Sequence, residues 1–312
     1  MPARRPPLVV ICGPTAAGKT ALGVDVAAKL GGELVGADSM QVYRHLDIGT
    51  ATPTPAELAG VPHHLLSYVD PDEPYDAARY ARDADRAIAA IARRGRRPVV
   101  VGGSGLYLRV LLRGLQRGPA PDPKLRARLE ARAAEAGTAA LHGELARLDP
   151  EAAARLHPND GVRILRALEV SLATGEPMTA WQRRHGFGER RYPALLLGVG
   201  RPREALRERI ELRVARMIKA GFLDEVRGIL GRGYADTLRP LQGLGYKRMC
   251  QHLRGELSLD EAVERTRSDT WRYSRRQRTW FNREPDLEWV PADAGEIRRR
   301  VEAFYAVEEA RA

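Results

Sequence analysis

Residues 8–20 read LVVICGPTAAGKT, a short apolar run followed directly by a glycine-rich loop. The run Leu8–Cys12 ends at a glycine, and this pattern predicts a buried β-strand. The eight residues Gly13–Thr20 fit G-x-x-x-x-G-K-[ST] at every fixed position. Thr20–Leu30 carries apolar residues at helical spacing and stops at Gly31-Gly32, which predicts a helix. Because a strand precedes the loop and a helix follows it, the stretch is typical of a phosphate-binding loop (P-loop).

This loop supplies the groups that hold a diphosphate or a triphosphate. Its glycines let backbone amides curl around phosphate oxygens, and the helix N-terminus adds partial positive charge. Lys19 is expected to bridge the terminal phosphates, and Thr20 to offer its hydroxyl to Mg²⁺. The predicted diphosphate-binding residues are Gly13, Pro14, Thr15, Ala16, Ala17, Gly18, Lys19 and Thr20. The pattern does not say to which molecule the phosphates belong.

The residues that follow alternate between strand and helix patterns. Glu33–Ala37 and Pro98–Val101 read as strands, and Tyr80–Arg94 reads as a helix between them. Strands separated by helices favour a parallel sheet with right-handed crossovers.

The alternation of strand and helix patterns ends after Gln116. A linker, GPAPDP at 118–123, leads into Ala/Arg/Glu-rich helical sequence without a strand pattern, and Ala194–Gly200 then returns to a strand pattern. We predict helices at Glu204–Ala220 and Asp293–Ala312. The expected fold is therefore α/β, with a P-loop NTPase-like parallel-sheet core (1–118 and 191–312) and an all-helical insertion domain (119–190).

The composition favours a polyanionic partner. The 312 residues include 51 Lys+Arg against 40 Asp+Glu, a formal net charge of +11. Such an excess favours nucleic acid through counterion release. No apolar run is long enough to span a membrane, and the apolar stretch before Gly13 is too short for a signal peptide. We expect a cytoplasmic protein.

The cysteines and histidines exclude some kinds of site. Cys12 and Cys250 lie far apart and rule out a disulfide scaffold or a four-cysteine zinc site. The adjacent pair His63-His64 lacks a third ligand, so we do not expect a metal site there.

Asp38 follows the second predicted strand directly. The carboxyl ends of parallel strands form the ligand face of an open sheet, so Asp38 is expected to open onto the same crevice as the P-loop. Its position is compatible with three roles: a loop hydrogen-bond acceptor, a metal ligand or a general base. Position alone does not choose among them.

Further motifs in the chain carry a resemblance to the tRNA dimethylallyltransferases, also called tRNA isopentenyltransferases. The resemblance spans about residues 8–285 in the family's order, and no Cys/His zinc module follows the core, as in the bacterial form. Besides GPTAAGKT, the matching segments are DSMQVYRHLDIGTATP (38–53), PHHLL (62–66), GGSGLY (102–107), PNDGVRILRALEV (158–170), RERIELRVARMIKAGFLDEV (207–226), GLGYK (243–247) and RRQRTWF (275–281).

The resemblance implies a reaction and its catalytic residues. Such enzymes move a dimethylallyl group from dimethylallyl diphosphate to the exocyclic amine of the adenosine at position 37 of tRNA, beside the anticodon. By this resemblance Lys19, Thr20 with Mg²⁺ and the loop amides stabilise the departing pyrophosphate. Arg213 is placed at the diphosphate, and Asp38 accepts a hydrogen bond or proton from the adenine amine.

The resemblance also implies a set of tRNA contacts. The stretch 265–283 holds seven arginines against one acid, interleaved with aromatic residues, which is a composition typical of RNA-binding surfaces. The chain departs from the usual family residues at Thr52, Ser67 and Trp271. The expected tRNA-binding residues are Asp38, Ser39, Met40, Gln41, Ser104 (in the slot of the usual threonine), Arg126, Arg163, Arg166, Gly245, Tyr246, Lys247, Arg275 and Arg276.

Two other functions compete with prenyl transfer. The P-loop alone also suggests an ATP-dependent small-molecule kinase, and the basic C-terminal region alone suggests a non-catalytic RNA-binding protein. An intact P-loop facing Asp38 argues against the second. We expect a monomer that binds a tRNA anticodon stem-loop and dimethylallyl diphosphate, and no membrane.

Overall fold

The computed structural model describes residues 5–115, 122–186 and 188–311. The chain divides into two compact units, of which one comprises Met1–Leu112 with Arg190–Ala312 and the other Arg113–Glu189. The expected boundary at residues 118–119 lies outside the described residues.

A parallel sheet forms the centre of the first unit. Within the described ranges six strands pair in the order β3-β2-β4-β1-β5-β6, and every pairing is parallel. This confirms the α/β fold class predicted from the sequence. The strands are β1 (Leu8–Cys12), β2 (Gly32–Ala37), β3 (His63–His64), β4 (Arg97–Gly102), β5 (Ala194–Gly200) and β6 (Leu287–Pro291).

The first strand is buried on both of its faces. Leu8, Val10 and Cys12 pack into one hydrophobic cluster, and Val9 and Ile11 pack into a second one. Since alternate side chains of a strand point to opposite faces, the two clusters lie on opposite sides of the sheet. This explains why the strand reads as a continuous apolar run rather than an alternating one.

Helices connect the strands and cover the sheet. In the first part of the chain they are α1 (Lys19–Leu30), α2 (Pro55–Leu58), α3 (Ala77–Arg93) and α4 (Gly105–Arg113). The second unit, taken by itself, consists of α5 (Pro123–Leu148), α6 (Pro150–Arg155), α7 (Gly161–Thr174) and α8 (Met178–His185). The last part adds α9 (Arg203–Lys219), α10 (Phe222–Gly231), α11 (Tyr246–Leu253), α12 (Leu259–Phe281) and α13 (Ala294–Ala310).

The regular secondary structure of the second unit is all helical within its described residues, and the unit has its own core. Apolar side chains of α5 and α7, including Leu129, Leu145 and Ile164, are buried together. Asp149 is 1% exposed and ties two helices together: its carboxylate accepts from the Ala152 amide at 3.0 Å and from the Thr179 amide at 2.9 Å. The buried charge is therefore fully engaged in helix capping.

The sequence analysis did not predict two strands at the edges of the sheet. β3 has only two residues, and β6 is half exposed, with Trp289 open to solvent, and ends at Pro291. Edge strands with a short or mixed pattern carry little periodic signal. Among the described residues, no helix is both long and apolar enough to cross a bilayer.

Candidate active site

The P-loop connects β1 to α1 and presents free amides. Gly13 has φ 135°, and a Cβ there would stand 2.9 Å from the Val199 carbonyl oxygen, so this position requires glycine. The Ala17 amide donates to the Pro14 carbonyl. Four further loop amides donate to no acceptor within the described residues and remain available to an anion. They belong to Ala16, Gly18, Lys19 and Thr20.

Two arginines that follow β5 hold the outer side of the loop. Arg201 Nε donates to the Ala17 carbonyl at 2.7 Å, and Arg209 Nε donates to the Ala16 carbonyl at 2.8 Å. Neither guanidinium forms an ion pair with a carboxylate in the described part of the chain. Their Nη2 atoms come within 3.5 and 3.8 Å of the point where a Cβ would stand on Gly18. The sequence analysis missed both as loop-binding residues.

Lys19 lies against the loop in a poorly solvated position. Its Nζ donates to the Pro14 carbonyl at 2.7 Å. Burial lowers the pKa of Lys19 to about 8; the charge of Asp38 opposes that shift and the charge of Arg213 adds to it. The lysine therefore keeps its proton at neutral pH with a small margin, and a bound phosphate would stabilise that charged form.

Asp38 follows β2 and uses one carboxylate oxygen to shape its own loop. Oδ1 accepts from the Met40 amide at 2.9 Å and from the Gln41 amide at 3.4 Å. The neighbouring Ser39 amide donates to Ser104 Oγ at 2.9 Å, which ties this loop to the end of β4. Oδ2 has no hydrogen-bond partner in the described residues, so one oxygen is left for a substrate.

The Thr50 carbonyl is a shared anchor for two of the predicted residues. Gln41 Nε2 donates to it at 3.2 Å and Arg213 Nη2 at 2.9 Å. Burial lowers the pKa of Arg213, and Asp38 counteracts that shift. The guanidinium and the Gln41 amide are thereby fixed relative to each other.

Glu225, on α10, anchors the segment that leads to Thr50. Its carboxylate accepts from the amides of Asp47, Ile48 and Gly49 at 2.8, 2.6 and 3.0 Å. The Tyr246 hydroxyl donates to the same carboxylate at 2.7 Å. No local sequence pattern marks Glu225, and the sequence analysis did not single it out.

The Tyr246 side chain lies inside the protein. Its side chain is fully buried and stacks edge-on against Phe222, with ring centroids 5.0 Å apart. Through Glu225 the ring supports the loop at 47–49, and the expected tRNA contact of Tyr246 stays a prediction. Gly245, with φ 78°, abuts Phe222, whereas Lys247 is exposed.

Helix α12 packs one face on the site and exposes the other. Gln277 is buried, and its Oε1 accepts from the Thr15 amide at 2.8 Å. Burial raises the pKa of Tyr273, and Asp38 adds to this shift. The predicted RNA-binding pair Arg275 and Arg276 is exposed and makes no ion pair within the described residues.

A cavity of about 210 Å³ lies between α9 and α12. Trp271, one of the departures noted in the sequence, lines it and packs near Leu206 and Ala16. The Arg203 guanidinium lies 5.7 Å from the centre of the Trp271 ring. This side of the P-loop is thus basic and partly apolar.

The arginines predicted in the second unit engage acids of that unit. Arg126 Nη1 and Arg166 Nη1 lie 3.8 and 3.0 Å from the buried Glu169 carboxylate. Arg163 pairs with Asp160 at 2.8 Å and is largely exposed. Arg163 is therefore the most accessible of the three.

The described residues contain no group of three His, Cys, Asp or Glu side chains able to hold a metal. Burial lowers the pKa of His63 to about 4, with His64 adding to the shift, and His64 Nε2 lies 2.6 Å from Glu33. A cation in this site would need substrate oxygens in addition to the Thr20 hydroxyl.

The sequence and the structure are both similar to those of known proteins. The family described as IPP transferase matches residues 41–284, and the family described as Isopentenyl transferase matches residues 6–73. A tRNA dimethylallyltransferase of Syntrophobacter fumaroxidans is 52% identical over 92% of this chain and 84% of its own. One from Geobacter metallireducens is 50% identical over 96% of this chain and 97% of its own.

Two crystal structures resemble the fold over most of the chain. A full-length tRNA isopentenylpyrophosphate transferase from Bacillus halodurans has a TM-score of 0.73 and 36% identity, covering 98% of this chain and 99% of that one. A eukaryotic dimethylallyltransferase acting on tRNA has a TM-score of 0.78 and 28% identity, covering 92% of this chain and 74% of that one.

Proposed function

The chain belongs to the IPP transferase family of tRNA dimethylallyltransferases, and we propose from this premise how it carries out the reaction. It transfers a dimethylallyl group from dimethylallyl diphosphate to the exocyclic amine of the adenosine at position 37 of tRNA. Diphosphate is the second product. The enzyme acts as a cytoplasmic monomer.

One arrangement supports this proposal above the others. The carboxylate of Asp38 lies at the same edge of the sheet as the P-loop, close enough to affect the pKa values of Lys19 and Arg213. An anion-binding loop with two cations and a facing carboxylate suits a reaction in which a diphosphate leaves while an amine attacks.

The diphosphate end of the donor binds to the P-loop. The amides of Ala16, Gly18, Lys19 and Thr20 point to its oxygens, and Lys19 and Arg213 neutralise its charge. Because an allylic carbon ionises partly before it is attacked, charge builds on the leaving diphosphate in the transition state. Fixed cations and amides stabilise that charge without reorganisation.

The adenine amine lies beside Asp38. Oδ1 is held by the Met40 and Gln41 amides, and this orients Oδ2 toward the substrate. A purine amine is a weak nucleophile, and a carboxylate that accepts its proton raises its electron density as the new C–N bond forms. In-line placement of donor and acceptor supplies much of the remaining acceleration.

We include Mg²⁺ in the proposal, bound by the Thr20 hydroxyl and the diphosphate. The fit rests on that hydroxyl, which lies in the first turn of α1 and makes no hydrogen bond within the described residues. Mg²⁺ suits sites with one protein oxygen and several phosphate or water oxygens. When bound, the ion neutralises charge on the leaving diphosphate.

The tRNA is bound by residues around this cleft and by the helical unit. Gln41, Met40, Ser39 and Ser104 shape the pocket for a base that has been flipped out of the anticodon loop. Contacts with phosphates come from Lys247, Arg275, Arg276, Arg163, Arg126 and Arg166.

The proposal is tested by incubating the protein with Mg²⁺, labelled dimethylallyl diphosphate and unmodified tRNA. The RNA is then digested, and its nucleosides are separated. We expect label on adenosine alone, and only when the prenyl donor is present. A parallel reaction with ATP and small hydroxylic acceptors serves as the control. Steady ATP turnover in that reaction, together with no transfer of label to tRNA in the first one, would overturn the proposal.

A further inference from the structure

Gln277 is a buried amide in a helix that is otherwise rich in arginine; it is 6% exposed. Its side chain bonds two loops at once. Oε1 accepts from the Thr15 amide at 2.8 Å, and Nε2 donates to the Gly103 carbonyl at 2.9 Å. Since both ends of the amide are engaged, the side chain fixes the separation between the P-loop and the loop that joins β4 to α4.

The Gln277 side chain lies very close to the backbone of Gly103. A Cβ on Gly103 would stand 2.4 Å from Gln277 Nε2 and 3.3 Å from the Gly13 carbonyl oxygen. Any other residue at Gly103 would push the glutamine out of its place. The contact therefore depends on a glycine in one loop and an amide of defined length on α12.

The bridge continues to Asp38. Ser104 follows Gly103, and its Oγ accepts from the Ser39 amide, while its own amide donates to the Ala37 carbonyl at 3.1 Å. Hydrogen bonds and the short backbone segments between them thus join the P-loop to the two residues that flank Asp38. Gln277 is the only side chain of α12 with hydrogen bonds to both loops within the described residues.

The same helix also faces the RNA in the proposed function. Arg275 and Arg276 precede Gln277 directly and are exposed, so one turn of α12 carries RNA-binding groups on its outside and the bridge on its inside. Small displacements of this turn would move the P-loop relative to Asp38.

We propose that Gln277 is a positioning residue: it sets the distance between the P-loop and Asp38, and so holds the allylic carbon in line with the adenine amine. This inference rests on the proposed function. Misplacement by about 1 Å can cost on the order of 100-fold in rate without loss of binding. The glutamine therefore acts on the chemical step rather than on the affinity for either substrate.

Two variants and one control separate this role from a merely structural one. Gln277→Met keeps the length and volume and removes both hydrogen bonds. Gln277→Glu can reproduce both bonds only when its carboxyl is protonated, because a carboxylate accepts from Thr15 but cannot donate to Gly103. Thr266→Val is the matched control: it removes a buried hydrogen bond of the same helix, from Thr266 Oγ1 to the Ala262 carbonyl, away from the loops.

The experiment measures single-turnover prenylation of tRNA, the Kd of inorganic pyrophosphate with Mg²⁺, the Kd of tRNA, and the thermal midpoint. For Gln277→Met we expect the rate to fall by about 30-fold or more with both Kd values within about threefold of wild type. For Gln277→Glu we expect the rate relative to wild type to rise as the pH is lowered from 8 to 6. The Thr266→Val rate should stay near that of wild type.

Other results overturn the inference. One is a Gln277→Met rate close to that of wild type, and another is a rate loss that weaker substrate binding accounts for. The third is a rate of Gln277→Glu, relative to wild type, that does not change with pH. If Gln277→Met fails to fold, the pH profile of Gln277→Glu decides alone. An inactive wild-type enzyme in this assay would instead refute the proposed function, so the two failures are distinguishable.

Discussion

The Arg213 guanidinium donates to the Thr50 carbonyl oxygen at 2.9 Å, and this backbone oxygen sets where the cation points. Within the described residues, the other N–H groups of this guanidinium donate to no acceptor, and no carboxylate pairs with Arg213. A guanidinium that is anchored on one side and partly buried suits bidentate binding of a phosphate.

Replacing Arg213 should weaken donor binding and slow the reaction. For Arg213→Ala we expect the KM for dimethylallyl diphosphate to rise, kcat to fall, or both, since a charge-assisted contact contributes about 1.5–3 kcal/mol. Steady-state kinetics with saturating tRNA measures this. Arg216→Ala, on the same helix and exposed, is the control. Unchanged kcat and KM in Arg213→Ala would exclude the role.

Two substitutions of Asp38 separate its loop bond from its chemistry. Asp38→Asn keeps an oxygen for the Met40 and Gln41 amides but removes the negative charge, whereas Asp38→Ala removes both. We expect each variant to bind tRNA nearly normally and to turn over at least about 100-fold more slowly, the low end for a general base. Filter binding and single-turnover kinetics test this. Full activity of Asp38→Asn would refute the general-base assignment.

Glu225 should contribute to both stability and activity. Glu225→Gln replaces one accepting oxygen with a donor that faces backbone amides, which costs about 1–3 kcal/mol for the groups left unsatisfied. We expect a lower thermal midpoint and a higher donor KM, because the Thr50 anchor of Arg213 shifts. Asp224→Asn, on the exposed side of the same helix turn, is the control. Equal behaviour of the two variants would contradict the anchoring role.

The lowered pKa of Lys19 predicts that pyrophosphate binding depends on pH. Its pKa in the folded protein is lowered to about 8, so the ammonium loses its proton as the pH rises through 8. The affinity for pyrophosphate should therefore be high below this pH and fall above it. Lys19→Arg keeps its charge throughout this range and should bind with little pH dependence. Calorimetric titrations from pH 6.5 to 9.5 compare the two; parallel profiles would exclude Lys19 as the titrating group.

The exposed arginines of α12 predict a salt dependence of tRNA binding. Removing one phosphate contact should reduce the slope of log K against log salt by about 1. We expect this for Arg275→Gln and Arg276→Gln. Arg272→Gln is the control, because Arg272 is already paired with Asp269. Filter binding over a range of salt concentrations measures the slopes; identical slopes for all three variants would place the RNA elsewhere.

The elements that the sequence predicted are those with a local signal. The apolar run of β1, the fixed positions of the P-loop and the periodic residues of α1 lie next to one another, so a short window identifies all three. Asp38 was placed at the ligand edge because the ends of parallel strands share that edge. What its two oxygens bind could not be read from the sequence.

The residues that the sequence analysis missed act across long separations. The Gln277 bond to Thr15 spans 262 positions, and the Arg201 bond to Ala17 spans 184. Neither residue stands out in its own segment, and around Gln277 the arginines mark an RNA-binding surface more strongly than the amide marks a bridge. Tyr246 shows the same limit: the motif match predicts an RNA contact, and nothing in the local sequence marks the packing of its ring against Phe222.

The position of β1 between β4 and β5 has a consequence for the synthesis of the protein. Because β5 follows the helical unit along the chain, a growing polypeptide that ends before residue 194 leaves β1 as an edge strand, with unpaired backbone groups and an apolar surface. The P-loop receives its last bond only when Gln277 has left the ribosome. Nascent chains are therefore exposed to aggregation until β5 has been synthesised, and the spacing between the P-loop and Asp38 is set only after Gln277 has been added.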